Sequence, residues 1–166
     1  PGGDAPLGIL GGRVIDLERT PPLPVAGAAG LGSPPLDGLA VSLSGQRLAA
    51  LDADARLWLG TIAPGADLVE AAIDPGQSRP AFGRGDDAWV VGADAVLRRV
   101  DPEGNAIVVS IDGLHPKAQL ESIAISRDGT RAALTIRRGP RTFIMMAIIT
   151  VREGALRIES PVRVDN

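Results

Sequence analysis

Apolar residues along this chain fall into short runs broken by glycine, proline and aspartate, and no segment sustains them at i, i+3, i+4 and i+7. The pattern predicts many short strands and almost no helix. The runs also repeat. Residues 39–51 lie over residues 123–135 without a gap, and the pairs Ala40/Ala124, Ser42/Ser126, Gly45/Gly129, Arg47/Arg131 and Ala49/Ala133 are identical. The offset is 84 residues. Half of it lands on Pro80-Ala81-Phe82, where an apolar run, a Gly85-Asp86 turn and a second apolar run (88–91) follow in the same order. The period is therefore about 41 or 42 residues, within the range of propeller blades.

Each period holds four strand-like runs: 39–42, 47–51, 56–62 and 67–73; then 80–83, 88–91, 95–100 and 105–111; then 122–126, 131–136, 142–151 and 156–160. Ser44-Gly45, Gly85-Asp86, Asp128-Gly129, Gly139-Pro140 and Glu153-Gly154 supply the turn chemistry between them. One four-stranded sheet cannot bury both faces, whereas stacked blades can. The predicted fold class is all-β, a partial β-propeller of about three to four four-stranded antiparallel blades. Residues 36–166 divide into blades at about 37–77, 78–117 and 118–164. Residues 1–35 carry a strand pair of a preceding blade, Leu7 to Leu10 and Arg13 to Leu17, then a Pro/Gly-rich connector over 20–35. Two arrangements stay open: an open arc with apolar end faces, or a fourth blade completed by residues 1–35 together with 161–166. The first strand of each blade should be covered on both sides, as Leu39-Ala40-Val41 and Ile123-Ala124-Ile125 suggest. The run 144–149 has no polar position and should also be buried on both faces.

Composition refines this picture. The apolar fraction of 45% suffices for a core, but aromatics make up 2%, so Val, Ile, Leu and Ala must fill it. A net charge of −3 argues against a nucleic-acid surface. Lys117 is the one lysine, so arginine carries nearly all the positive charge. There is no cysteine, which excludes disulfides and thiolate metal sites. The longest apolar run is too short to span a bilayer. The first residue is Pro1, without a leader pattern, so the expectation is a piece of a longer chain with any targeting signal upstream.

Few residues offer chemistry. His115, the one histidine, reads as a solvated loop residue in Gly113-Leu114-His115-Pro116. Asp52/Asp54 and Asp86/Asp87 are paired carboxylates of the type a glycosidase sets across a cleft, but they fall on hairpin turns, where aspartate serves turn hydrogen bonds. Ser42, Ser44 and Ser126 lack a nucleophile-elbow context, and no glycine-rich phosphate loop opens a helix. Trp58 and Trp89 read as inter-blade packing, with an exposed binding platform as the other reading. Arg137, Arg138 and Arg141 flank one turn and are the candidate partner-binding residues. They either receive an acidic partner or form a solvated hairpin tip. No catalytic, cofactor or metal residue is assigned, and the chain reads as a non-enzyme.

The order of these motifs carries a resemblance. Ser42, Gly45, Arg47 and Ala49, then Arg79-Pro80-Ala81-Phe82 with Trp89-Val90, then Ser126-Arg127-Asp128-Gly129-Thr130-Arg131 and the closing run 149–158 resemble the C-terminal propeller of the LpqB lipoproteins of actinobacteria. The resemblance covers nearly the whole chain. It implies an exported protein anchored to the cell membrane through a lipidated cysteine, with a spore-germination-type domain before the propeller. It further implies a non-catalytic extracytoplasmic interaction domain whose protein partner is the extracellular domain of an MtrB-type sensor kinase, in two-component signalling and cell-envelope homeostasis. It supplies no catalytic residue and no cofactor. The lipid-bearing cysteine, the preceding domain and further repeats after Val164 are not in this sequence. The alternative reading is a propeller that binds or hydrolyses cell-wall sugar or peptidoglycan.

Overall fold

A computed structural model describes residues 7–10, 13–16, 23–27, 36–63, 66–73, 78–152 and 155–164, and its regular structure is entirely strand. Three strands come first: β1 (Leu7–Leu10), β2 (Arg13–Asp16) and β3 (Leu23–Gly27). A four-stranded meander follows, β4 (Leu36–Val41), β5 (Arg47–Asp52), β6 (Leu57–Thr61) and β7 (Ala66–Glu70). The second meander is β8 (Ala81–Phe82), β9 (Ala88–Val91), β10 (Leu97–Val100) and β11 (Ala106–Val108). After the short β12 (Ser110–Ile111) comes the third, β13 (Gln119–Ile125), β14 (Arg131–Arg138), β15 (Arg141–Arg152) and β16 (Ala155–Val164). Within each meander neighbouring strands pair antiparallel in chain order, which is blade topology. The expected four strands per period are present, except that the expected run 105–111 divides into β11 and β12, and β12 pairs with the third blade.

The blades are stitched at their outer edges. β3 runs parallel to β7 through Ala26↔Ala66 and Gly27↔Asp67, and β12 runs parallel to β16 through Ser110↔Arg157 and Ile111↔Ile158. Ala26 and Ser110 are 84 residues apart, so the stitching strands keep the repeat, while their partners Ala66 and Arg157 are 91 apart because the third blade has longer strands. By that offset β2 falls on β10 and β3 on the span of β11 and β12. The described part of residues 1–35 thus holds three strands, and the connector expected over 20–35 contains one of them. Only backbone pairing shows this, because Leu23–Gly27 carries a proline and a glycine and does not read as a strand. The alternative in which residues 161–166 close a blade with residues 1–35 does not hold for the described part. Val162 and Val164 pair with Met146 and Ile144 of β15, inside the third blade. The register shifts between Met146 and Ile148 opposite Pro161, which has no N–H to give the ladder.

The core lies between blades. All four residues of β9 are buried. Ala88 and Val90 join Ala49, Leu51, Leu57, Leu59 and Ala71 of the first blade. Trp89 and Val91 join Leu120, Ile123, Ala132, Leu134 and Ile136 of the third. The period-2 alternation of a strand sends one set to each neighbour. Leu48, Ala50 and Trp58, on the opposite face of β5 and β6, are buried too.

Two expectations about burial require correction. In the first two blades the strand buried on both faces is the second, not the first: Leu48 to Asp52 and Ala88 to Val91 are all buried, whereas Val41 of β4 is 38% exposed. In the third blade β14 is fully buried only at Ala132, Leu134 and Ile136. A first strand forms the edge of its sheet, while a second strand has a partner on each side, and in the first two blades both of its faces are covered. The run 144–149 is buried on one face only. Ala147 is buried and Met145 and Ile149 pack on the core, but Ile144, Met146 and Ile148 are 50%, 40% and 53% exposed. The described residues place no blade over that face.

The turns show why the repeat keeps its polar residues. In the third blade Ser126 Oγ accepts the Arg131 N–H and donates to Asp128 Oδ1, which itself accepts the Thr130 N–H. In the first blade Ser42 Oγ accepts the Arg47 N–H at 3.1 Å. Both turns need glycine, Gly45 at φ 69° and Gly129 at φ 72°.

Candidate partner-binding site

The β14–β15 hairpin closes on Gly139 and Pro140, with Gly139 at φ 60°, and Arg138 is registered directly opposite Arg141. Glycine at the first central position suits a two-residue hairpin loop. Residues directly opposite share one face of a sheet, so both guanidiniums leave on the same side. Alternation puts Phe143 and Met145 on that side as well, and Arg137 on the other. The three arginines therefore separate. Arg137 reaches Glu121, with Nε 2.7 Å from Oε1. Arg138 and Arg141 line a cleft.

The opposite wall is the segment between the second and third blades. The Ala118 N–H donates to the His115 carbonyl at 2.8 Å and folds this segment back over the hairpin. The resulting cleft has a volume of about 730 Å³. Its floor is Leu114, Ala118, Phe143 and Met145, all half-buried, and its rim is His115, Arg138 and Arg141, all exposed. Among the described residues no carboxylate pairs with Arg138 or Arg141. The nearby acids are engaged elsewhere, Glu121 with Arg137 and Asp112 with Arg157. The cleft is a local cationic site on a chain of net charge −3.

His115 is exposed in the loop between β12 and β13, as expected, and it stands in the rim of the cleft. Its Nε2 lies 3.2 Å from Arg138 Nη2, and its Nδ1 accepts the Lys117 N–H at 3.1 Å. Arginine keeps its protons, and a neutral imidazole has one accepting nitrogen only. Both ring nitrogens thus face donors, and the neutral ring can accept from one of them in either tautomer. Sequence separation hid this pairing, since His115 and Arg138 are 23 residues apart. The signal available was a histidine next to the outer-edge crossover that carries the chain towards the next blade's hairpin.

The other candidate residues are held in structural bonds. Asp52 Oδ1 accepts the Asp54 and Arg56 N–H groups, and its Oδ2 accepts the buried Trp58 indole N–H at 3.0 Å. Asp86 accepts the Ser44 hydroxyl across the first two blades, and Asp87 pairs with Arg99 at 3.1 Å. Trp89 packs between the second and third blades, and Trp58 is buried. Among the described residues no three of His, Asp and Glu gather into a metal-binding group, and no helix is long and apolar enough to cross a membrane.

Stacked four-stranded blades, joined parallel at their outer edges, define a segment of a β-propeller. Comparison with known proteins narrows this class. Residues 12–166 match the model of the lipoprotein LpqB beta-propeller domain, and the chain belongs to that family. It is 31% identical over 143 residues to lipoprotein LpqB of Mycobacterium tuberculosis, a match covering 77% of this chain and 24% of that protein. It is similarly 31% identical to lipoprotein LpqB of Mycobacterium ulcerans over 144 residues, and 30% identical to that of Mycobacterium leprae. The chain spans about a quarter of the length of these relatives.

Proposed function

We propose that this segment is a non-catalytic binding module of an extracytoplasmic lipoprotein, and that it engages a protein partner, the extracellular domain of a sensor kinase of a two-component system. The observation that carries the reading is the division of labour among the polar residues. The paired carboxylates are held in turns and inter-blade bonds, while Arg138 and Arg141 stand over an apolar floor without a carboxylate partner among the described residues. Membership of a lipoprotein family supports a position outside the cell membrane, held by a lipid anchor. The test is binding of the full-length, delipidated protein to the purified extracellular domain of the sensor kinase, measured beside purified cell-wall fragments. Saturable binding to the kinase domain is expected. Retention or cleavage of cell-wall fragments with no binding to the kinase domain would overturn the reading.

A further inference from the structure

We infer that the cleft between His115 and the β14–β15 hairpin recognises an acidic, apolar peptide segment, a Glu or Asp side chain next to a Leu-type side chain. The inference deepens the partner-binding reading and rests on it for the partner being a protein. Three features of the cleft point to this ligand. First, Arg138 and Arg141 project from directly opposed positions on one sheet face, so two guanidiniums can converge on one carboxylate. Second, His115 Nε2 lies 3.2 Å from Arg138 Nη2 and Nδ1 lies 3.1 Å from the Lys117 nitrogen, so the neutral ring can accept from only one of these two donors at a time. A carboxylate oxygen beside both accepts from Nε2–H and from the guanidinium and leaves Nδ1 to accept from Lys117, so every donor is satisfied. Third, the cations stand on an apolar floor. Leu114, Phe143 and Met145 are half-buried, and a bare inorganic anion would leave them uncovered. A cleft of about 730 Å³ takes two or three side chains rather than a single ion.

The chain has one histidine, so imidazole ¹⁵N spectra report this cleft without ambiguity. The probe is a capped hexapeptide of alternating Glu and Leu, titrated into the full-length, delipidated protein and followed by these spectra and by calorimetry. Three controls accompany it: a Gln/Leu peptide of equal length, a hexaglutamate, and a polyphosphate of equal charge. The Glu/Leu peptide should move the His115 resonances towards the Nε2–H tautomer, because the carboxylate accepts from Nε2 and leaves Nδ1 to the Lys117 N–H. The Gln/Leu peptide and hexaglutamate should each bind at least about tenfold more weakly, through loss of the charged and the apolar contact respectively. Arg138→Gln with Arg141→Gln should lose about tenfold or more, with an unchanged melting temperature because both side chains are exposed. Leu114→Ser should weaken the Glu/Leu peptide and leave hexaglutamate unaffected. Equal binding by the Gln/Leu peptide, equal binding by polyphosphate, or full binding by the double arginine variant would each overturn the inference. The same double variant separates it from the broader reading. If it still binds the sensor kinase domain, the partner reading stands and the cleft assignment falls. If the peptide binds but the kinase domain does not, the cleft assignment stands and the partner reading falls.

Discussion

Gly45 and Gly129 occupy the same turn of two blades, and the structure gives them different fates on substitution. Both accept a left-handed backbone, φ 69° and 72°, and both donate to the serine carbonyl three residues earlier, at 2.9 and 2.8 Å. A β-carbon at Gly45 meets nothing within 4 Å. A β-carbon at Gly129 stands 2.9 Å from Arg84 Cβ and 3.1 Å from the Arg84 backbone nitrogen. Left-handed φ costs a non-glycine residue about 1–2 kcal/mol. Part of that is offset by about 0.4–1 kcal/mol, because alanine restricts the unfolded chain more than glycine does. Gly45→Ala should therefore cost about 0.5–1 kcal/mol. Gly129→Ala carries the same cost plus overpacking against backbone, about 1–3 kcal/mol more. For a chain of this size the pair should differ by roughly 3–10 °C in melting temperature. Thermal and urea unfolding of the two variants decide the point. Arg84→Gly removes the nearer of the two atoms, so it should recover part of the Gly129→Ala loss and nothing of the Gly45→Ala loss. Equal destabilisation at both glycines would refute the inter-blade contact and leave only the turn conformation as a cause.

Asp52→Ala should cost about 3 kcal/mol, since it removes three hydrogen bonds to a carboxylate and strands the buried Trp58 indole N–H. Trp58→Phe should cost less in that background than in the native one, and additive losses in a double-mutant cycle would contradict the bond. The acid limb of stability should depend on Asp94 and Asp128. The Arg98 guanidinium holds Asp94, and the Ser126 hydroxyl holds Asp128, at about 2 against an ordinary 3.8. A carboxyl whose folded value is lowered contributes stability above its unfolded value, so this contribution is present above about pH 4 and disappears as pH falls towards 2. Asp94→Asn with Asp128→Asn should flatten that limb, and an unchanged urea midpoint profile from pH 5 to 2 would count against it. The exposed face of Ile144, Met146, Ile148 and Val162 should make residues 1–166 self-associate. Light scattering should then show a mass above the monomer, restored to monomer by Met146→Lys with Ile148→Lys, whereas a clean native monomer would disprove it.

Local rules carried much of this protein. The 84-residue offset, the glycine and aspartate turns and the two-residue periodicity located the twelve blade strands within a few residues, because each strand must end where its turn chemistry begins. The positive φ at Gly45 and Gly129 was legible for the same reason. Three matters were decided only by tertiary structure. The strand at Leu23–Gly27 exists through its pairing with β2 on one edge and with β7 on the other, which overrides a poor local propensity. The run 144–149 carries no polar residue to mark an outer face, so its one-sided burial follows from which blade stands beside it. The cleft joins His115 to Arg138 and Arg141, while alternation along β14 turns Arg137 away to Glu121. Adjacency in sequence grouped three arginines, whereas the faces of the sheet set two of them together with a histidine from another segment. That assignment depends on register and on the path of the chain between blades, which no short window of residues encodes.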